Sequence, residues 1–148
     1  MTDQVLVPID GSPLSHKALR HALREFPDAS ITALHVIDLF EPGYGVYTDS
    51  ETSYEPLAGS EEWYERAEEV SERLLDEARE IAAEHDREIA TTSEVGDPKR
   101  VIVDYATEED VDHLVIGAHG RDDEARSLFG SVAEMVVRRV TVPVTLIR

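Results

Sequence analysis

The sequence predicts an α/β fold in which a mostly parallel sheet carries helices on both faces. Three observations predict it. Four short apolar runs and one weakly alternating run are interleaved with four amphipathic stretches in the order βαβαβαβαβ, which implies right-handed crossovers between parallel strands. Turn and cap residues stand at the junctions, as in Asp10-Gly11-Ser12-Pro13 and Gly96-Asp97-Pro98. The chain has 148 residues, the length of one domain that buries roughly two-thirds of the surface its unfolded form exposes. Residues 1–148 are read as one domain, without internal repeat or linker.

Val5-Leu6-Val7-Pro8-Ile9 is an apolar run of strand length, broken by Asp10-Gly11-Ser12. Proline cannot donate to a sheet ladder, so Pro8 is expected at the strand's end or at a local irregularity. Ser12 is the expected N-cap and Pro13 the first helical residue; Leu14, Ala18, Ala22, Leu23 and Phe26 then share one face until Pro27. Ile31 to Ile37, rich in branched residues, reads as the second strand. Asp38 to Gly59 has no periodicity and reads as a long connection, its Tyr44, Tyr47 and Tyr54 suited either to stack on a ligand or, the preferred reading, to pin it to the body.

Glu61 to about His85 is a long amphipathic helix, apolar at Ala67, Val70, Leu74, Ala78 and Ile81. Its many acids are interspersed with Arg66, Arg73 and Arg79, the pattern of a solvated face rather than of metal ligands. Glu88 to Val95 alternates weakly, as an edge strand does. Asp97 caps and Pro98 starts a helix carrying Val101, Ile102 and Tyr105. Asp112 to Gly117 is the fourth strand, Val132 to about Val140 the last helix, and Val142 to Ile147 the fifth strand.

Charge is the strongest compositional signal. There are 32 acidic against 14 basic residues, a net −18, and Lys17 and Lys99 are the only lysines. Such a chain repels duplex phosphates, so nucleic acid is not expected as a partner. An acidic, lysine-poor surface suits a cytoplasm at very high salt, where the Debye length shrinks to ~3 Å at 1 M and like charges cease to repel over distance. No run approaches the ~20 apolar residues of a membrane span. The first residues lead directly into a strand without a signal-peptide pattern, so a cytoplasmic location and no membrane partner are expected. Cysteine is absent, which removes disulfides and thiolate metal sites.

The chemistry gathers at Gly117-Ala118-His119-Gly120, followed after nine residues by Gly130-Ser131 at the mouth of the last helix. Glycines let backbone N–H groups approach a polyanion, and a helix N-terminus favours negative charge. In open α/β sheets the ligand crevice lies beyond the carboxyl ends of the strands, where strand order reverses. If the first three strands form one arm and the last two the other, that point lies between strands one and four. Asp10-Gly11 and Gly117-x-x-Gly120 then converge on it. Neither G-x-x-x-x-G-K-[ST] nor G-x-G-x-x-G is present, which excludes Walker-type and dinucleotide-binding loops. Phosphoacceptor receivers need an acid after strand three, where this chain has Val95-Gly96.

Each candidate has a structural alternative: for Asp10, a cap on the first helix, and for Gly117 and Gly120, a tight strand-to-loop turn. Ser131 and Glu134 have the spacing of a capping box, a role that coexists with anion contact at the same N-terminus. His119 lacks a nucleophile or orienting acid at readable spacing, and His35 reads as a strand residue packed under a helix. His16, His21, His85 and His113 show no metal-ligand pattern. No catalytic residue and no metal ligand is assigned.

Asp10-Gly11-Ser12 after the first strand, His35-Val36-Ile37-Asp38 at the second, and Gly117-x-x-Gly120-x9-Gly130-Ser131 before the last helix together resemble the ATP-binding branch of the universal stress protein family. The resemblance covers essentially the whole chain. It implies a Rossmann-like open five-stranded parallel sheet of order 3-2-1-4-5 and an ATP site. It places Asp10 beside the adenosine, with Pro8 and Ile9 at the same strand end, and the Val36 backbone against adenine. Gly117 would approach the ribose, and Gly120, Gly130, Ser131 and Val132 would surround the phosphates, with Arg121 of the insert a further candidate read from its charge. The insert departs from the common family pattern at Asp122-Asp123-Glu124, whose carboxylates oppose a triphosphate unless they face outward, bind a cation or are screened. Arg121, Arg126 and an Mg²⁺ or Mn²⁺ bridging phosphates would compensate. The apolar edge strand Val142–Ile147 invites pairing with a second copy, the homodimer that the resemblance also implies. The expected function is an adenine-nucleotide-binding stress regulator or sensor. A nucleotide-independent dimeric interaction module is the rival, and a slow ATP hydrolase is the weaker alternative.

Overall fold

The computed structural model describes residues 2–38, 59–119 and 130–148. The strands are β1 (Gln4–Pro8), β2 (Ser30–Ile37), β3 (Ala90–Val95), β4 (His113–Gly117) and β5 (Val144–Ile147). The helices are α1 (Pro13–Glu25), α2 (Glu61–Glu84), α3 (Pro98–Glu108) and α4 (Ser131–Arg139). The five strands form one sheet of order β3-β2-β1-β4-β5 with every pairing parallel, the order that the family resemblance implies. Among the described residues no helix is long and apolar enough to cross a membrane.

Strand alternation divides the core in two. Val5, Val7 and Ile9 of the first strand region face one cluster with Ala18, Leu19, Ala22, Leu75, Ala78 and Ile81 of α1 and α2. Leu6 points the other way, into a cluster with Ile102 and Ala106 of α3 and Val136 of α4. The central strands are apolar on both faces because helices cover both, whereas β3, at the edge, is half-buried or exposed throughout. His35 is fully buried toward α2, where its Nδ1 lies 2.9 Å from the Ser71 hydroxyl.

Most boundaries follow their cap signals. Ser12 Oγ accepts the Ser15 N–H at 3.2 Å with Pro13 at the first helical position, and Asp97 Oδ1 accepts the Lys99 N–H at 3.1 Å. Ser60 caps α2 by accepting the Trp63 N–H at 3.2 Å. Three strands are shorter than expected. β3 begins at Ala90 rather than Glu88, and β5 at Val144 rather than Val142, since Pro143 contributes to β4 only its carbonyl, 2.9 Å from the Leu114 nitrogen. β4 begins at His113 because the Asp112 side chain turns back to accept the Asp3 and Gln4 N–H groups at 3.0 and 2.9 Å. The connection carrying Tyr44, Tyr47 and Tyr54 lies outside the described residues apart from its ends.

Candidate functional site

The reversal of strand order falls between β1 and β4, and Pro8 helps to open it. β1 pairs with β4 at Val5↔His113 and Leu6↔Leu114, while β4 runs on to Gly117. In a parallel ladder successive residues direct their backbone groups to alternate sides. The Ile9 N–H donates to the Leu34 carbonyl of β2 at 2.8 Å, so the Pro8 nitrogen faces β4, where it has no hydrogen to give.

The resulting crevice is lined by Pro8, Asp10, Ser12 and Ser15 on one wall, and by Ile116, Gly117 and His119 on the other. Val132 and Ala133 of α4 complete it. It is narrow, with a volume of about 20 Å³, room for a water molecule. A larger concavity of about 890 Å³ runs along the acidic face of α2, but a single helix lines it and no second wall encloses a ligand.

Asp10 is only 5% exposed, and its Oδ1 accepts the Ser12 N–H at 2.9 Å. Gly11 makes this turn with φ 81°, in the left-handed region that favours glycine. The Ser12 carbonyl accepts the Ser15 hydroxyl at 2.9 Å. Both serines thus hold the start of α1, and Ser15 is a crevice residue that sequence reading missed because it looks like an ordinary helix position. Val36 is buried, and the alternation that sends the Leu34 carbonyl to β1 sends the Val36 backbone to that same side, level with the end of β1. Ile9 turns its side chain into the core.

On the opposite wall Gly117 has a packing reason to be glycine. A Cβ there would lie 3.1 Å from Leu14 Cβ, so the close approach is to α1 as well as to the crevice. The next residue, Ala118, is a junction the sequence does not advertise. Its N–H donates to the Ile147 carbonyl of β5 and its carbonyl accepts the Gly130 N–H, both at 2.6 Å. The two ends of the glycine-spaced segment are therefore drawn together and tied to the edge strand.

The start of α4 corrects one expectation. Gly130, not Ser131, is the N-cap, with extended backbone at φ −71° and ψ 162° and no side-chain cap. The bond from Gly130 to Ala118 holds that extended geometry, so the helix begins one residue early. Ser131 becomes its first residue, exposed, and forms no capping box with Glu134, whose N–H instead donates to the Gly130 carbonyl at 3.0 Å. Val132 is half-buried and packs on the α3 side of the core. His119 faces the same crevice as Asp10 and Ser12, a proximity that spacing alone could not reveal. Gly120, Arg121, Arg126 and the acids Asp122, Asp123 and Glu124 lie outside the described residues. Asp38, at the end of β2, is a further buried carboxyl, 5% exposed.

These features define an open, all-parallel α/β protein with a small polar crevice at the reversal of its strand order. Comparison with known proteins makes that class particular. The model of the universal stress protein family matches residues 1–148. A universal stress protein of Methanocaldococcus jannaschii is 31% identical over 148 residues, covering 98% of this chain and 81% of the relative. The structure of the universal stress protein UspA from Lactobacillus plantarum superposes with a TM-score of 0.78 at 25% identity, over 99% of this chain and 98% of that one. A universal stress protein solved in complex with cAMP superposes with a TM-score of 0.69 at 26% identity, over 99% and 97% of the two chains. The chain belongs to the universal stress protein family.

Proposed function

We propose that the chain binds an adenine nucleotide, ATP foremost, in the crevice between β1 and β4, and serves as a nucleotide-dependent regulator or sensor in the stress response. One observation carries the reading: buried Asp10 and Gly117 line one crevice at the strand-order reversal of a family whose similar member was solved with cAMP. On this reading residues 1–148 are one nucleotide-binding domain. Pro8, Ile9 and Asp10 border the nucleoside, Val36 meets adenine through its backbone, and Gly117 approaches the ribose. Gly120, Arg121, Gly130, Ser131 and Val132 surround the phosphates at the α4 N-terminus. An Mg²⁺ or Mn²⁺ would ride on the phosphates, since among the described residues no three His, Asp or Glu side chains are grouped to hold a metal.

Equilibrium binding of ATP, AMP and cAMP at high KCl tests this, with Gly130→Asp as the control. The extended backbone at Gly130 is that of an N-cap, a place where aspartate is favoured, so the variant is expected to fold while its carboxylate repels phosphate. Wild type should bind below millimolar and the variant at least about tenfold more weakly, the effect of ~1.4 kcal/mol. Equal binding by both, or none by either, overturns the reading. The rival interaction module draws support from Gly117 and Gly130, which have packing and hydrogen-bonding roles of their own. It predicts an intact dimer that ignores nucleotide. A turnover assay separates slow hydrolysis.

We place the dimer contact on the Val142–Ile147 edge. Pro143 and Ile147 turn their carbonyls to β4, so by alternation the backbone of Val144 and Leu146 faces the open side. Leu146→Pro removes an outward donor without cutting the β4 ladder, and should yield monomers by sedimentation velocity; a dimer of unchanged affinity would refute the contact. The charge of −18 fits a cytoplasm of high salt. The melting temperature should then rise from low to molar KCl, and equal stability at both ends would reject that setting.

A further inference from the structure

A second concave surface meets the first turn of α4. Two adjoining grooves of about 380 and 410 Å³ lie between α3 and α4 and share Lys99, Met135 and Arg139. They use a different side of α4 from the crevice, which takes Val132 and Ala133. Ser131 stands at the head of the larger groove, on the turn where the phosphates are placed above. The groove therefore continues from the phosphate end of the proposed nucleotide site.

Its charge is opposite to that of the chain. Lys99, Arg100, Arg138 and Arg139 stand there against Asp97, Asp104 and Glu134, a net +1 on a protein of net −18. Two of the acids are already engaged: Asp97 Oδ1 accepts the Lys99 N–H at 3.1 Å, and Glu134 pairs with Arg138 at 3.0 Å. Among the described residues Lys99, Arg100 and Arg139 form no ion pair. Arg139 lines both grooves, its Nε 3.1 Å from Met135 Sδ. A chain this acidic repels polyanions over most of its surface. A groove with three uncommitted cations at the end of a phosphate site is where a longer one is tolerated.

We propose that this groove receives the continuation of a phosphate chain whose nucleoside occupies the crevice. The ligand class is an adenine nucleotide with more than three linked phosphates, including dinucleoside polyphosphates. Lys99, Arg100 and Arg139 meet the phosphates beyond the third, because ammonium and guanidinium groups pair with phosphate oxygens. This rests on the nucleotide reading above and names the ligand that the same site prefers.

The test is titration calorimetry of the full chain at moderate salt with ATP, adenosine 5′-tetraphosphate and inorganic tripolyphosphate, on wild type and on the Lys99→Gln/Arg139→Gln double variant. Wild type should bind the tetraphosphate about fivefold to tenfold more tightly than ATP, the scale of a few exposed charge contacts. The double variant should lose that preference while its ATP affinity stays within about twofold, since neither residue contacts the first three phosphates. Equal affinity for the two nucleotides in wild type, or a preference that survives the double variant, overturns the groove and leaves the nucleotide reading intact. Tripolyphosphate binding that the double variant loses, with no nucleotide bound by either protein, overturns the nucleotide reading and supports the groove as a phosphate site. Absence of all binding overturns both.

Discussion

The two ends of the same sheet are finished in opposite ways. At the amino ends of the strands, side chains sew backbone to backbone. Asp112 accepts the Asp3 and Gln4 N–H groups and donates its own to the Gln4 carbonyl, while Ser30 donates to the Asp3 carbonyl. Arg87 spans the carbonyls of Leu23, Phe26 and Ala29 at 2.9, 3.2 and 2.7 Å, tying the end of α1 to the turn that leads into β2. At the carboxyl ends the ladder is interrupted by a proline without a donor, a left-handed glycine and a buried carboxylate. One end is thus closed by its own hydrogen bonds, while the other leaves its polar groups facing a crevice.

The largest effect that separates the ends is expected from Arg87→Ala. It leaves three carbonyls without their charged donor and should lower unfolding free energy by about 2–3 kcal/mol. Urea denaturation measures that loss, and nucleotide affinity of the folded fraction should not change. A fall in affinity at saturating stability would show that the two ends are not independent. Gly117→Ala acts at the open end. Its Cβ would press on Leu14 Cβ at 3.1 Å, and moving the start of α1 to relieve it should cost about 1 kcal/mol. Because α1 begins beside Asp10, this variant should also weaken nucleotide binding, unlike Arg87→Ala. Wild-type affinity in Gly117→Ala would assign the glycine to helix packing alone. Asp112→Ala, back at the closed end and exposed, should cost about 0.5–1 kcal/mol and leave binding untouched.

The open end was more legible in the sequence than the closed one, for a physical reason. Pro8, Gly11, Asp10 and the spaced glycines announce themselves because turns, missing donors and caps are local requirements written at fixed offsets. The sheet order was not legible in that way: alternation gave a mostly parallel sheet, and the order came from the family resemblance. Arg87 and Asp112 bond partners 58 to 109 residues away, and nothing near them in sequence marks those acceptors. Ala118 is similar: its importance lies in bonds to Ile147 and Gly130, and an alanine between glycines carries no sign of it. The displaced cap at Gly130 has the same origin, since serine is the better N-cap by composition and only the bond to Ala118 moves the helix start.

The smallest expected effect is a pH dependence confined to the closed end. His113 begins β4, with Nε2 2.7 Å from Thr145 Oγ1 of β5 and its ring centroid 4.8 Å from that of Phe26. Burial, and then the charge of His21, hold its pKa below the usual imidazole value. A lowered folded-state pKa means that the neutral ring is the form the fold prefers. Its contribution is therefore complete above the unfolded value near ~6.5 and is lost as pH falls from there through the folded value, because the unfolded chain takes up the proton first. The melting temperature should decline modestly over that window, and His113→Gln should flatten part of the decline. The Thr145 contact ties this titration to the join between β4 and the edge strand, at the end of the sheet away from Ala118. Nucleotide affinity should consequently show no His113-dependent change across the same window. If His113→Gln altered the pH profile of binding as well as of melting, the closed end would be transmitting its protonation along β4 to the crevice.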